Sequence, residues 1–85
     1  MTMNRFLIII LLLVLAASPL TLKASLKTDA DAAYKNENYL KASQLYEQVL
    51  RQGKSSDVYY NLGNAYYRQD DFAHAVLNYE RAMLL

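Results

Sequence analysis

"YYNLGNAYYRQDDFAHA", residues 59–75, sets two tyrosine doublets, Tyr59-Tyr60 and Tyr66-Tyr67, seven residues apart with Gly63 and Ala65 between them. A tyrosine ring gains from burial while its hydroxyl needs a partner, so this spacing reports packing. On a helix, Tyr59, Leu62, Gly63 and Tyr66 recur at i, i+3, i+4 and i+7 and form one stripe. Tyr60, Asn64 and Tyr67 form a second stripe, turned by about 100°. Gly63 loses about 1 kcal/mol of helix propensity relative to alanine, a loss that makes sense where another helix comes close. Ala75, Tyr79 and Ala82, at i, i+4 and i+7, make a matching small-large-small stripe on the next segment. The first tyrosine of each doublet is therefore expected to pack on the sister helix, and the second to face elsewhere.

The stretch has a counterpart upstream. Displaced by 33 residues, "YKNENYLKASQLYEQVL" (34–50) lies over "YRQDDFAHAVLNYERAM" (67–83). Tyr34 meets Tyr67, Lys35 meets Arg68, Glu37 meets Asp70, Tyr39 meets Phe72, Ala42 meets Ala75, Tyr46 meets Tyr79 and Glu47 meets Glu80. Internal repetition at this period marks a stacked array of short structural units. The apolar spacing makes each unit two helices, and the fold class all-α. In the second unit Ser55, Ser56 and Asp57 offer N-caps for a helix from Val58 to Gln69, and Asp71 caps another from Phe72 onward. The pair Asp70-Asp71 has no third ligand beside it and reads as capping, so no metal site is expected. In the first unit the helices run from about Leu26 to Asn36 and, capped by Asn38, to about Gln52, with Gly53 as terminator.

These residues resemble the tetratricopeptide repeat, a helix–turn–helix unit of about 34 residues with a W-x2-L-G-x2-Y…A-x3-F pattern. Tyr59, Leu62, Gly63 and Tyr66 occupy its first-helix positions, and Ala75, Tyr79 and Ala82 its second-helix positions. The first unit is looser: Ala30, Ala42 and Tyr46 fit, while Leu26, Asp29 and Ala33 replace an aromatic, a leucine and a tyrosine. The resemblance implies an α-solenoid fragment whose first helices line a groove for a protein partner, as a peptide segment or a helix. Tyr60, Asn64 and Tyr67 match the groove positions in the second unit, and Lys27, Asp31 and Tyr34 match them in the first. Some members of the family clamp a C-terminal carboxylate with lysine and asparagine. Lys27 and Asn61 match such positions, but Asp31 stands where a second asparagine belongs and repels an anion. An internal segment bearing aromatic or apolar side chains is the expected ligand.

The chain opens differently. Residues 6–17, FLIIILLLVLAA, form an unbroken apolar run behind Arg5, with Pro19 as an expected helix breaker and polar sequence from Lys23. A cationic start, an apolar stretch of roughly 7–15 residues and a breaker make the plan of a secretory signal peptide. Residues 6–22 equally sit at the lower edge of the roughly 17–25 that span a bilayer as an anchor. The expected organisation is residues 1–24 as signal peptide or membrane anchor, 25–54 as a degenerate repeat and 55–85 as a second repeat. Export places the repeats in the periplasm, free or held at the inner membrane. With no cysteine there is neither a lipid attachment site nor a disulfide, and folding rests on packing. An export segment leading straight into such repeats is similar to the N-terminal part of the BatE-type family of bacterial aerotolerance-operon proteins. That likeness implies an envelope location and a Bat-type complex.

Beyond residue 23 seven cations face eight acids, so no basic stripe is available to follow a phosphate backbone and nucleic acid is not an expected partner. No H-E-x-x-H, G-x-S-x-G or phosphate-binding glycine loop occurs, His74 reads as a surface residue, and Ser43, Ser55 and Ser56 lack a nearby base. No cofactor, small-molecule substrate or catalytic residue is therefore expected. Three roles stay open: a non-catalytic interaction scaffold of the cell envelope, a membrane-tethered assembly component, or the docking arm of a longer envelope enzyme. Residues 6–22 contain no glycine and hence no G-x-x-x-G helix-pairing face, which counts against the second.

Overall fold

The computed structural model describes residues 4–5 and 18–85. Most of the export segment expected at 6–22 lies outside the described residues. Among the described residues the chain forms four α-helices and no strand: α1 (Pro19–Lys35), α2 (Tyr39–Arg51), α3 (Ser56–Arg68) and α4 (Phe72–Met83). None of these helices is long and apolar enough to cross a membrane.

Local chemistry explains the boundaries. Asn38, Ser55 and Asp71 each cap a helix, their side chains accepting from Lys41 N, Val58 N and His74 N. Helix α1 begins at Pro19, seven residues before the expected start at Leu26. Proline at the first helical position loses no hydrogen bond and arrives with a helical φ, so behind the Ser18 cap it starts a helix where a breaker was expected. As a result α1 runs unbroken through residue 24. Helix α3 likewise starts two residues early, at Ser56, and hands its end to the Gln69 cap. Helix α2 closes before Gly53, whose φ of 151° suits a residue without a side chain.

The 33-residue register of the sequence recurs in three dimensions. Glu37 and Asp70 both occupy the left-handed region, at φ 62° and 60°. Asn38 N donates to Ala33 O and Glu37 N to Tyr34 O, while Asp71 N donates to Tyr66 O and Asp70 N to Tyr67 O. That bond pair is the Schellman ending of a helix. Ala42 and Ala75 are both buried where the helices of each pair cross. Edge-on aromatic pairs close each unit: Tyr34–Tyr39 with ring centroids 5.1 Å apart and Tyr67–Phe72 at 5.3 Å.

Helices pack as sequence neighbours, α1 on α2, α2 on α3 and α3 on α4. The principal core comprises Ala30 and Ala33 of α1, Ala42, Tyr46 and Val49 of α2, and Val58, Leu62 and Ala65 of α3. Leu62 is fully buried, whereas Asp29, its register partner, is exposed. Leu62 packs into the core formed with α1 and α2, and the departure at Asp29 falls where the described residues supply no earlier helix. Asn78 is buried although it lies outside the expected α4 stripe. It sits three residues after Ala75, so it shares that helix face, and its amide donates to His74 O one turn back at 2.8 Å.

Candidate functional site

The doublets resolve into three environments. Tyr59 lies half-buried near Arg81 of α4. Tyr66 reaches both neighbours: its hydroxyl donates to Glu47 Oε1 of α2 at 3.0 Å and its ring stacks on His74 of α4 at 5.0 Å. Burial and then Glu47 push the Tyr66 phenol up to about 12. Tyr60 and Tyr67 do not face away from α4 altogether, as was expected. Their rings lean on Tyr79 and Phe72, yet they stay 56% and 54% exposed. An aromatic residue one position from the packed stripe can rest one edge on the sister helix and leave its face in water.

Behind these rings runs a repeated hydrogen bond. Tyr79 of α4 donates to Asn64 Oδ1 of α3 at 2.6 Å, and Tyr46 of α2 donates to Asp31 Oδ1 of α1. Both pairs span fifteen residues and coincide under the 33-residue shift. Each tyrosine of a second helix thus crosses to the stripe of its first helix and holds the polar residue there. Burial, followed by the phenols of Tyr60, Tyr34 and Tyr67, raises the Tyr79 pKa. Burial and Asp31 raise that of Tyr46 further.

The other candidates are partly engaged. Lys27 Nζ stands 3.1 Å from Asp31 Oδ2 across one helical turn, so Asp31 serves both Lys27 and Tyr46. Tyr34 is half-buried against the core and Tyr39. The structure therefore brings Tyr60 and Asn64 onto Tyr79, sets Tyr67 against Phe72 and Tyr34 against Tyr39, and gives Lys27 and Asp31 to each other.

Sequence reading missed the residues that join the two pairs. Gln69 Nε2 lies 3.1 Å from Tyr39 O, 3.0 Å from Ser43 Oγ and 3.0 Å from Ala65 O. Ser43, read only as lacking a nearby base, is buried and donates to Leu40 O. Arg68 lies over the Tyr39 ring at 4.7 Å. The alignment of Glu47 with Glu80 was the available signal, since two units kept one acid at one register position. His74 is exposed, as read, and is engaged through Tyr66 and Asp71.

Paired antiparallel helices, the small residues at their crossing and the aromatic keys between them come together in residues 56–85, which match the family model of the tetratricopeptide repeat. That match supports the tetratricopeptide repeat family. No curated protein and no solved structure matches the chain. Tetratricopeptide repeats generally mediate protein–protein interaction, and the fold is typically a non-catalytic scaffold.

Proposed function

We propose that the chain is a non-catalytic scaffold of the bacterial cell envelope whose Tyr34, Tyr60, Asn64 and Tyr67 face holds an internal segment of a partner protein. The observation that carries this reading is the half-exposure of Tyr60 and Tyr67 around an anchored Asn64. Aromatic rings braced on one edge offer flat contact area with little conformational entropy left to lose, and such residues are enriched at interfaces. Lys27 is engaged by Asp31, which supports an aromatic or apolar ligand over a free carboxylate terminus. The apolar run behind Arg5 supports export, with the repeats outside the cytoplasm, and the resemblance at that level supports a place in a Bat-type aerotolerance complex.

The test replaces Tyr60 and Tyr67 by alanine together in the full chain. Partner capture from envelope extracts should be lost while the helical circular dichroism signal persists. Retained capture, or loss accompanied by collapse of the helical signal, overturns the assignment of the face.

A further inference from the structure

Cations and acids nearly balance along the chain, but folding separates them. Successive helices pack in opposite senses, so the start of α1, the end of α2, the start of α3 and the end of α4 share one end of the molecule. Ser56 Oγ donates to Ala82 O there, at 2.8 Å. Lys23 Nζ comes so near Gly53 that a Cβ built on that residue would stand 3.2 Å from it. Lys54 follows and lines a small cleft together with Arg81, and Arg51 ends α2. Arg51, Lys54 and Arg81 are all exposed. The acids of this end are Asp57 in the first turn of α3 and Glu80 beside Arg81, so four cations face two carboxylates. The opposite end sets Lys35, Lys41 and Arg68 against Glu37, Asp70 and Asp71 and is balanced. Gln48, the register partner of Arg81, stays exposed although α3 covers α2, so this position faces solvent inside an array as well.

The cationic end is also where the apolar part of the chain joins. Leu20 and Leu22 in α1 are 80% and 45% exposed, and the apolar run of residues 6–17, outside the described residues, precedes them in sequence. Helix α1 passes unbroken from Pro19 to the core at Ala30 and Ala33, which fixes Lys23 and its neighbours relative to these leucines. We infer that this end of the repeats is a seat for anionic phospholipid head groups. It rests on the envelope reading above, with residues 6–22 retained as an anchor. Leucines at the acyl boundary and cations at head-group level reinforce each other, since one lipid chain or one apolar segment and a basic patch hold a membrane better together than singly. Each cation held at an anionic surface raises occupancy about fivefold.

The test uses the full chain in phosphatidylcholine vesicles, with or without about one-third phosphatidylglycerol. The chain has no cysteine, so Gln52→Cys at this end and Asn36→Cys at the other can each carry one fluorophore, quenched by lipid spin-labelled at the head group. Phosphatidylglycerol should raise quenching at position 52, leave position 36 unchanged, and lose its effect in about 0.5 M salt. Lys23→Gln, Arg51→Gln and Lys54→Gln should each lower the ratio of seated to free repeats about fivefold. Lys35→Gln and Lys41→Gln at the opposite end should not, and every variant should keep the helical circular dichroism signal. Vesicle flotation reads the anchor separately. A chain that floats while its quenching ignores phosphatidylglycerol or the three glutamines overturns the seat alone. A chain that does not float overturns seat and anchor together. Preference for polyglutamate over phosphatidylglycerol at equal charge would assign this end to an acidic protein and overturn the seat as well.

Discussion

The ring of Tyr79 lies across the bare backbone of Gly63, so close that a Cβ built on residue 63 would stand 2.6 Å from its Cε1 and 2.7 Å from its Cδ1. The contact falls on the middle of the ring, whose hydroxyl is held by Asn64 at 2.6 Å. Even Gly63→Ala must therefore displace Tyr79 and strain that bond. Overpacking of this kind costs about 1–3 kcal/mol, set against about 1 kcal/mol of regained helix propensity. Thermal denaturation should show Gly63→Ala less stable than wild type and Gly63→Leu much less so. A rise in melting temperature for Gly63→Ala would contradict the close approach.

Alkaline stability follows from the anchored phenols. Tyr66 moves from an ordinary 10.0 to about 12, and Tyr46 and Tyr79 move in the same direction. A phenol held neutral more firmly in the fold than in the unfolded chain contributes stability that is complete below about pH 10 and lost as pH rises through about 12. Denaturant titrations at pH 8 and pH 11.5 should therefore differ, the alkaline sample being weaker. Tyr66→Phe, freed of one titrating group, should show a smaller difference than wild type.

Two helix endings place ordinary residues where glycine is favoured. Glu37 at φ 62° and Asp70 at φ 60° hold the left-handed residue of a Schellman ending. Left-handed backbone costs an L-residue roughly 1–2 kcal/mol, less for aspartate, whose short side chain tolerates it. Part of that gain is offset by the greater freedom of glycine in the unfolded chain. Glu37→Gly should raise stability by about 0.5–1 kcal/mol, and Asp70→Gly by less, measured by urea midpoints at unchanged slope.

Adjacent positions on α4 should respond unequally to the same change. Ala75 is 1% exposed, so Ala75→Leu overpacks the α3–α4 crossing by about 1–3 kcal/mol. His74→Leu gives up the stack on Tyr66 and the contact with Asp71 at the surface, and should lose about 1 kcal/mol or less. Equal losses at the two positions, read from melting curves, would place the buried face elsewhere.

Much of this architecture was legible in the chain because it depends on neighbours within a turn or two. Asn38, Ser55 and Asp71 cap helices through backbone groups three residues away. The pairing of Gly63 with Tyr79 was foreseeable because a glycine amid a helical stripe needs a reason. The boundary at Pro19 was misread because proline stops a helix from within and starts one from its first position, and spacing alone does not separate the two.

Sequence by itself determined that the described residues form four helices, the caps at Asn38, Ser55 and Asp71, the 33-residue register and the burial of Leu62, Gly63 and Ala75, since these follow from side-chain periodicity and local hydrogen bonding. Only the tertiary structure decided that Tyr46 and Tyr79 cross to Asp31 and Asn64, that Gln69 ties α3 to Tyr39 and Ser43, and that Tyr60 and Tyr67 stay half in water. Those partners lie fifteen to thirty residues apart, and a polar side chain has many acceptors of equal chemistry along the chain. Which of them it meets is settled by how the helices cross, when close packing leaves each buried donor one place to go.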